Sequence, residues 1–500
     1  MRKNSLLILF LAFLMLLSGC TPAGLEFEEN TAELPQTETT LVAPVGDAGL
    51  SFTENVEIYV PSSNGIGLSV VEITLTRTFT RPRAEAIVRG MLSYGGSGSG
   101  EALGGITRLS LYGTNPVEVS GNTVTVNLGA SALSLDRFRL YLCGQAIANT
   151  LFLQEGIQYV NLLVVGKPVG LDVGNTLPMG AFTYTDAADV NAVYQQLLTR
   201  KVGSEETAAE KALAVNLTCY YPVPGENGVK SHTLNTVFSG QFSGTLAMDL
   251  LDLLSQQGGM PNLREWLTAV PSIVNSDTQG GDLVLLDFAS ETEKVIASSG
   301  LNRRAVMASL CMTFATFLPN VVGISVTVGG ERVDPMFLME DNSQEAHGEI
   351  ILRKETGCSL YDDCILYLAS GEELISVTRP VPFEKKGNPR ELLLLLSQGP
   401  QANDEPAGES VFPGETLTDS MIIGMSLQGD TMLVNFAPGF VNVGADLDAQ
   451  QEKRLVYALV NTLCATGLCK NVCFFRSGKQ FDGFSGEISW LGLFYPIVSF

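Results

Sequence analysis

The sequence predicts an α+β protein made of three small domains in tandem, each a mixed sheet with two helices packed on one face. A nearly identical strand is written three times, as GNTVTVNLGA (121–130), GGDLVLLDFAS (280–290) and GDTMLVNFAP (429–438). A strand-like run with a central Tyr precedes each copy, and a helical pattern lies on either side of it. Because internal repeats define the architecture before any local pattern does, we divide the chain into three units.

The first element of each unit is a strand of period-two or continuous apolar character that ends in Pro, Ser or Gly. The three runs are VEIYVPSS (56–63), LTCYYPVP (217–224) and CILYLASG (364–371). Their shared aromatic residue is Tyr59 in the first unit, Tyr220 or Tyr221 in the second, and Tyr367 in the third. A second strand follows, most clearly at 68–79.

A helix comes next in each unit, at 81–95, 243–258 and 387–400. Pro82 and Pro389 stand where a first helical turn tolerates proline, and glycines stand where the helices end. Leu246, Leu250 and Leu254 are spaced so that they share one buried face.

The thrice-written strand follows, and a second helix comes after it, at 138–154, 302–318 and 450–466. Each unit closes on a strand and a glycine turn, at 160–169, 322–333 and 472–481. A Gly followed by a basic residue suits a hairpin tip, where positive φ is needed and an exposed charge discourages edge pairing. Helices separated by strands in this order predict a two-layer α+β unit of roughly 100–150 residues.

The first twenty residues, 1–20, are predicted to be a signal peptide. Arg2 and Lys3 are followed by an apolar stretch too short to cross a bilayer comfortably, and then by Leu17-Ser18-Gly19-Cys20. These last residues resemble a bacterial lipobox, which implies cleavage before Cys20 and lipid attachment to its sulfur. An ordinary secretory signal with an incidental cysteine is the alternative.

We predict a flexible tether at 21–51 and domains at 52–200, 212–340 and 358–500, with separate cores joined by linkers near 200–212 and 340–362. No other segment holds 18 uncharged apolar residues, so the remainder is expected to be extracytoplasmic and soluble. The 53 acidic and 30 basic residues give a net charge of −23, which disfavours nucleic acid as a partner.

The repeated residues resemble the GerMN domain, also called the sporulation and spore germination domain. The matching residues of the first unit are Gly121, Asn122, Thr123, Val126, Asn127, Leu128, Asn149, Thr150, Leu151, Gly166 and Lys167. Those of the third unit are Gly429, Asp430, Thr431, Val434, Asn435, Phe436, Asn461, Thr462, Leu463, Gly478 and Lys479. The second unit resembles a degenerate copy, since it has Asp287 in place of the strand Asn and lacks the Asn-Thr-Leu triplet.

The resemblance implies a fold similar to the ring-building motif, the small α+β unit of ring-forming secretion and sporulation proteins. Members of the family are typically lipoproteins of Gram-positive bacteria, and some act in sporulation. It therefore implies a role in assembly or in the cell envelope, without catalysis, cofactor or metal.

The residues themselves give little support for catalysis. The only histidines are His232 and His347, in different units, and no nucleophile or metal motif accompanies either. The recurrent Asn127, Asp287 and Asn435 are interpreted as strand-end side chains that bond nearby backbone rather than as ligands or acids.

Besides Cys20, eight cysteines remain: Cys143, Cys219, Cys311, Cys358, Cys364, Cys464, Cys469 and Cys473. Those in apolar helical runs are expected to behave as small hydrophobic residues, and one or two disulfides are possible in an oxidising compartment. A zinc site made of the last three has a spacing that fits no standard motif.

Two functional classes are left. One is a membrane-anchored assembly or interaction module in sporulation, spore germination or envelope organisation, with other envelope proteins as partners. The other is an extracytoplasmic binding lipoprotein that presents a cleft between domains to a small ligand, a glycan or a peptidoglycan fragment. Only Trp266 and Trp490 are present as tryptophan platforms for a sugar, which weakens the second class. The insertion at 401–413 has no interpretation from sequence.

Overall fold

The structure is a computed structural model that describes residues 41–47, 51–78, 81–175, 177–199, 212–239, 244–256, 259–332, 350–356 and 360–497. Ala43–Phe500 form one compact unit. Among the described helices, none is both long enough and apolar enough to cross a bilayer. The predicted signal peptide and Cys20 lie outside the described residues.

The elements follow the order that the repeats predict. The first repeat unit contains β1 (Ser51–Pro61), β2 (Leu68–Thr78), α1 (Arg83–Ser93), β3 (Val117–Ser120), β4 (Thr123–Leu128), α2 (Arg137–Glu155), β5 (Tyr159–Val164), β6 (Lys167–Pro168) and α3 (Val190–Thr199). The second contains β7 (Ala212–Pro222), β8 (Val229–Ser239), α4 (Gly244–Gln256), β9 (Ser272–Ser276), β10 (Gly281–Phe288), α5 (Thr292–Ser298), α6 (Arg303–Phe317), β11 (Val321–Val328), β12 (Glu331–Arg332), β13 (Ile350–Leu352) and α7 (Arg353–Thr356). The third contains β14 (Tyr361–Ser370), β15 (Glu373–Pro382), α8 (Phe383–Lys386), α9 (Pro389–Ser397), β16 (Ile422–Gln428), β17 (Thr431–Phe436), α10 (Ala449–Ala465) and β18 (Asn471–Arg476).

The α+β prediction is confirmed, and the sheets differ from it in one respect. Each thrice-written strand, β4, β10 or β17, runs parallel to the strand that follows its long helix and antiparallel to the strand before it. The strand that carries the shared Tyr does not join this mixed sheet. It pairs with the next strand as a separate antiparallel hairpin, in β1–β2, β7–β8 and β14–β15. The hairpin also contacts the long helix of its unit, where Tyr59 N–H donates to Thr150 Oγ1 at 2.8 Å.

The buried side chains form a main cluster shared by the first and second units, which Phe383 of the third unit joins, a second cluster within the third unit, and a small one around Leu283 and Val322 of the second. The shared cluster contains Ile58 and Val126 of the first unit and Leu217 and Phe314 of the second, all of which are fully buried. The expectation of three separate cores was therefore wrong for the first two units. They pack together because the β7–β8 hairpin lies against the first unit's mixed sheet.

Part of the predicted second linker is ordered structure. β13 pairs antiparallel with β11, and α7 follows it directly. Ile351 is 1% exposed and Arg353 is 4% exposed, so this stretch is buried although its sequence is polar. The linker prediction is wrong for 350–356. The remaining domain boundaries stay predictions.

The end of the predicted tether also packs on the protein. Asn435 Nδ2 donates to Pro44 O at 2.8 Å, and Met425 N–H donates to the Asp47 carboxylate at 2.9 Å. Arg390 holds the same carboxylate through two nitrogens, at 2.7 and 2.9 Å. Residues 44–47 are thus fixed to the third unit, so the tether prediction over 21–51 was wrong at this end.

The uninterpreted insertion at 401–413 is attached to the third unit by a buried ion pair. Asp404 and Arg379 approach to 2.6 Å, and each side chain is 3% exposed. Burial alone would raise the pKa of Asp404, but hydrogen bonds from Arg379 and from the Gln401 N–H outweigh it and lower that pKa. The carboxylate therefore stays charged and holds the loop beside the β14–β15 hairpin.

Candidate functional site

The asparagines of the repeated strand fix the hairpin tips. Asn127 Oδ1 accepts from Gly166 N–H at 2.9 Å, and Asn435 Oδ1 accepts from Gly478 N–H at 3.0 Å. Each bond joins the two halves of the repeated motif, the strand end and the glycine turn. In the second unit Asp287 instead accepts from the Thr327 hydroxyl.

The threonine of the long helix anchors the tyrosine strand in all three units. The Oγ1 atoms of Thr150, Thr313 and Thr462 accept from the backbone N–H groups of Tyr59, Tyr220 and Tyr367, at 2.8, 3.0 and 3.2 Å. Thr313 was missed in the sequence because its neighbours are not Asn and Leu, although a Thr in the same helix was the available signal. The geometry also shows that Tyr220, not Tyr221, is the shared tyrosine.

In the first and third units, the asparagine of the long helix binds a segment that returns to the sheet near the end of the unit. We call these segments, residues 181–185 and 491–497, the tails. Asn149 donates to Thr185 O at 2.6 Å and accepts from Thr185 N–H at 3.1 Å. Asn461 makes the same pair of bonds to Ile497, at 2.8 and 3.0 Å. Sequence reasoning missed both tails, which resemble Gly- and Pro-containing loops.

These tails cover the edges of the closing strands. Val160 and Phe182 exchange two backbone hydrogen bonds at 3.0 and 2.8 Å, and Val472 and Phe494 exchange two at 2.9 and 2.8 Å. At these positions the edge of each closing strand is therefore paired with backbone of its own unit.

The other motif residues support turns and contacts between units. Gly121 and Gly429 turn the chain with φ of +59° and +60°, a conformation that favours glycine. Asn122 bonds Gln158 at 2.8 Å, and Asp430 pairs with Lys470 at 2.6 Å. Lys167 Nζ donates to Gly280 O of the second unit at 2.7 Å. Lys479 is exposed, and Thr431 is buried.

A buried polar junction joins the first two units at the thrice-written strand. Thr123 and Thr233 hydroxyls lie 2.9 Å apart, and Asn161 Nδ2 donates to Thr218 Oγ1 at 2.9 Å. Such groups are stable inside a protein only when paired, so these contacts fix the relative position of the units.

The junction also contains a buried ion pair. Arg353 and Glu118 approach to 2.6 Å, with side chains 5% and 8% exposed. Arg353 also donates to Thr316 Oγ1 at 2.8 Å. Burial alone would lower the pKa of the Arg353 guanidinium, but Glu118 outweighs burial and raises it, so the group stays charged.

A cleft of about 790 Å³ lies between the first and third units. Its charged lining residues are Glu54, Arg77, Arg81, Arg83, Glu155, Asp362, Asp363, Glu384 and Lys386. Arg83 binds Glu54 at 2.9 Å, and Lys386 binds Asp362 at 2.7 Å. Four cationic and five carboxylate side chains line the cleft, which therefore suits a polar ligand better than a strongly anionic one.

The cleft offers little for sugar stacking. Phe383 is the aromatic residue among the described residues that line it. Trp490 is fully buried and donates its indole N–H to Glu452 at 2.7 Å, and Trp266 lies outside the lining. The cleft is thus polar and mostly non-aromatic.

The described cysteines are thiols. Burial raises the pKa of Cys143, Cys219 and Cys311 to about 12, so these groups stay protonated and are weak nucleophiles. Cys464 and Cys469 have sulfur atoms 3.6 Å apart. Within the described ranges no group of three or more His, Cys, Asp or Glu side chains is arranged to hold a metal ion. His232 is exposed on β8, while His347 and Cys358 lie outside these ranges.

Comparisons with known proteins give a limited result. No family model and no curated protein matches the chain. Among solved structures, the tandem GerMN domains of the sporulation protein GerM from Bacillus subtilis align at 13% identity, over 57% of this chain and 99% of that one, with a TM-score of 0.22. A predicted lipoprotein from Clostridium perfringens aligns at 14% identity, over 27% of this chain and 87% of that one, with a TM-score of 0.19. At TM-scores below 0.5, neither likeness carries an argument about fold or function.

Proposed function

We propose that the protein is a non-catalytic lipoprotein, anchored through Cys20 to the outer face of the cytoplasmic membrane, that acts as an assembly or interaction module. The observation that carries this proposal is the junction around Glu118 and Arg353, where buried ionisable groups join the repeat units. Because these buried charges hold the repeat units in one arrangement, the protein presents surfaces of fixed shape to other proteins. Sporulation, spore germination and envelope organisation are the candidate processes, because the repeated motif at 121–128 and 429–436 resembles the GerMN domain.

The attachment of residues 44–47 limits how far the protein can stand from the membrane. The 22 residues between Cys20 and Ala43 span at most about 80 Å when fully extended. Because residues 44–47 are fixed to the third unit, that unit stays within this distance of the lipid. Membrane-bound envelope proteins are therefore the expected partners.

Replacing Cys20 with alanine removes the sulfur that would carry the lipid. We expect Cys20→Ala to move the protein from the membrane pellet to the soluble or signal-retained fraction, because no described helix can replace the anchor. Immunoblotting of fractionated cells measures this, with Cys143→Ala as the matched control. Unchanged membrane fractionation together with a cleaved signal contradicts the anchor.

The interaction role is tested by capturing partners with the fragment Ala43–Phe500. This fragment keeps the Asp47–Arg390 contact that a later start would lose. Recovery of the same envelope or sporulation protein from repeated extracts, confirmed with the two purified proteins, supports the proposal. Turnover of a substrate in a hydrolase screen contradicts it.

The cleft supports a second candidate, a binding lipoprotein for a small polar ligand or a peptidoglycan fragment. Its volume is within the range of about 300–1,000 Å³ typical of ligand sites. Calorimetry with soluble peptidoglycan fragments tests this candidate. Saturable binding that is lost in Arg81→Glu, a cleft residue whose side chain is 56% exposed, favours it over the interaction module.

A further inference from the structure

The tail of the first unit contacts β7, the first strand of the β7–β8 hairpin in the second unit. Ala181 N–H donates to Asn216 O of β7 at 2.8 Å, and Asn216 Nδ2 donates back to Ala181 O at 3.2 Å. The backbones approach so closely that a Cβ on Gly180 would lie 2.1 Å from the Val215 side chain. Glycine at 180, with φ of +70°, is what permits this contact.

The third unit repeats this tail residue for residue. Phe494 pairs with Val472 as Phe182 pairs with Val160, and each Phe stands 22 residues after its Val. Gly492, with φ of +89°, occupies the place of Gly180. Leu493 therefore occupies the place of Ala181.

In the third unit the outer side of the tail is uncovered. Leu491, Leu493 and Tyr495 are 50%, 43% and 57% exposed, and no atom of the described residues lies within 4 Å of a Cβ built on Gly492. Because Phe494 directs its N–H and C=O to Val472, the N–H and C=O of Leu493 point the opposite way. In the described part of the chain, no acceptor bonds the Leu493 N–H.

The matching half of the contact is present at the other end of the chain. Asn55 of β1 lies four residues before Tyr59, as Asn216 lies four residues before Tyr220. Asn55 accepts from Thr74 at 2.7 Å, as Asn216 accepts from Asn235 at 3.1 Å. Asn55 is exposed, so its outer side is free to take part in such a contact.

We propose that the tail at 491–495 of one chain docks on β1 of a second copy, with Leu493 and Asn55 pairing as Ala181 and Asn216 pair within the chain. The contact is heterologous, so repetition produces an open chain or a closed ring of copies. The uncovered apolar side chains supply the buried area, and attachment to one membrane raises the effective concentration against the repulsion of a −23 charge. This inference rests on the proposed interaction function and names a partner for it.

Cross-linking in cells tests the contact with the full-length protein. Two differently tagged copies are co-produced, one with Asn55→Cys and one with Leu493→Cys, and treated with a short bis-maleimide reagent. We expect a mixed-tag dimer at least about tenfold more abundant than in a control pair that carries Val173→Cys, a residue 90% exposed, in place of Leu493→Cys. Equal yields in the two pairs overturn the proposal.

Sedimentation equilibrium of Ala43–Phe500 provides the second measurement. We expect concentration-dependent association that Leu493→Asp and Asn55→Leu each weaken by about tenfold or more, and that Leu133→Asp, also on an exposed side chain, leaves unchanged. A strictly monomeric parent overturns self-association. Cross-linking of Leu493→Cys to a different envelope protein also overturns self-association, but it leaves the interaction function intact. If neither self-association nor a captured partner is found, both proposals are overturned.

Discussion

Replacing Arg353 with methionine is expected to lower the free energy of unfolding of Ala43–Phe500 by about 3–5 kcal/mol. The substitution leaves the Glu118 carboxylate buried at 8% exposure without its cation. It also removes the donor to Thr316 and so loosens the place where β13 and α7 meet the first unit. Urea unfolding followed by circular dichroism measures the change.

The double variant Arg353→Met with Glu118→Leu separates the cost of an orphaned charge from the value of the pair. We expect it to be more stable than Arg353→Met alone, because neither charge is then left unpaired. Lys470→Met is the matched control, since its pair with Asp430 is equally short but 79% and 63% exposed, and it should leave the unfolding midpoint unchanged. A single variant as stable as the parent would show that the ion pair does not hold the units together.

The elements of each unit could be predicted from sequence because their signals are local. Apolar periodicity and the prolines and glycines at helix ends placed the helices close to their observed bounds, as at Pro389. The repeated strand could be predicted as well, since each of its three copies is a short run of β-branched and aliphatic residues next to glycine. Local patterns of this kind depend on residues within about one or two turns of each other.

The contacts between units could not be predicted in this way. Glu118 and Arg353 are 235 residues apart, and each lies in a stretch whose composition is typical of the surface. Their pairing depends on how β7–β8 and β13 pack on the first unit, which no periodic pattern encodes. The same reason explains why 350–356 resembled a linker.

The tails were missed although a signal for them existed. Residues 181–185 and 491–497 show no helix or strand period, and Gly180 just before the first stretch and Gly492 and Pro496 within the second suggest loops. However, the equal spacing of Phe182 from Val160 and of Phe494 from Val472 repeats the same geometry. Extending the repeat alignment past the glycine turn would have found both tails.

Replacing Glu452 with alanine is expected to have the largest effect within the third unit. Its fully buried carboxylate accepts from Phe484 N–H, Ser485 N–H and the Trp490 indole N–H, each at 2.7 Å. Alanine leaves three donors without an acceptor, the Trp490 indole N–H fully buried and the two backbone N–H groups partly buried, and each orphaned donor costs up to about 1–3 kcal/mol. We therefore expect a loss of roughly 4 kcal/mol of stability and release of the segment that begins at Gly483.

Trp490 reports this release directly, because the chain has only one other tryptophan. In a Trp266→Phe background, we expect Glu452→Ala to shift Trp490 emission to longer wavelength as the ring gains access to water. Glu487→Ala is the matched control, because this acidic residue of the same segment is exposed and should leave the emission unchanged. The tail at 491–495 follows Trp490 directly, so Glu452→Ala should also reduce self-association. A variant with native emission and native association would show that packing around Trp490, rather than the Glu452 carboxylate, holds the tail in place.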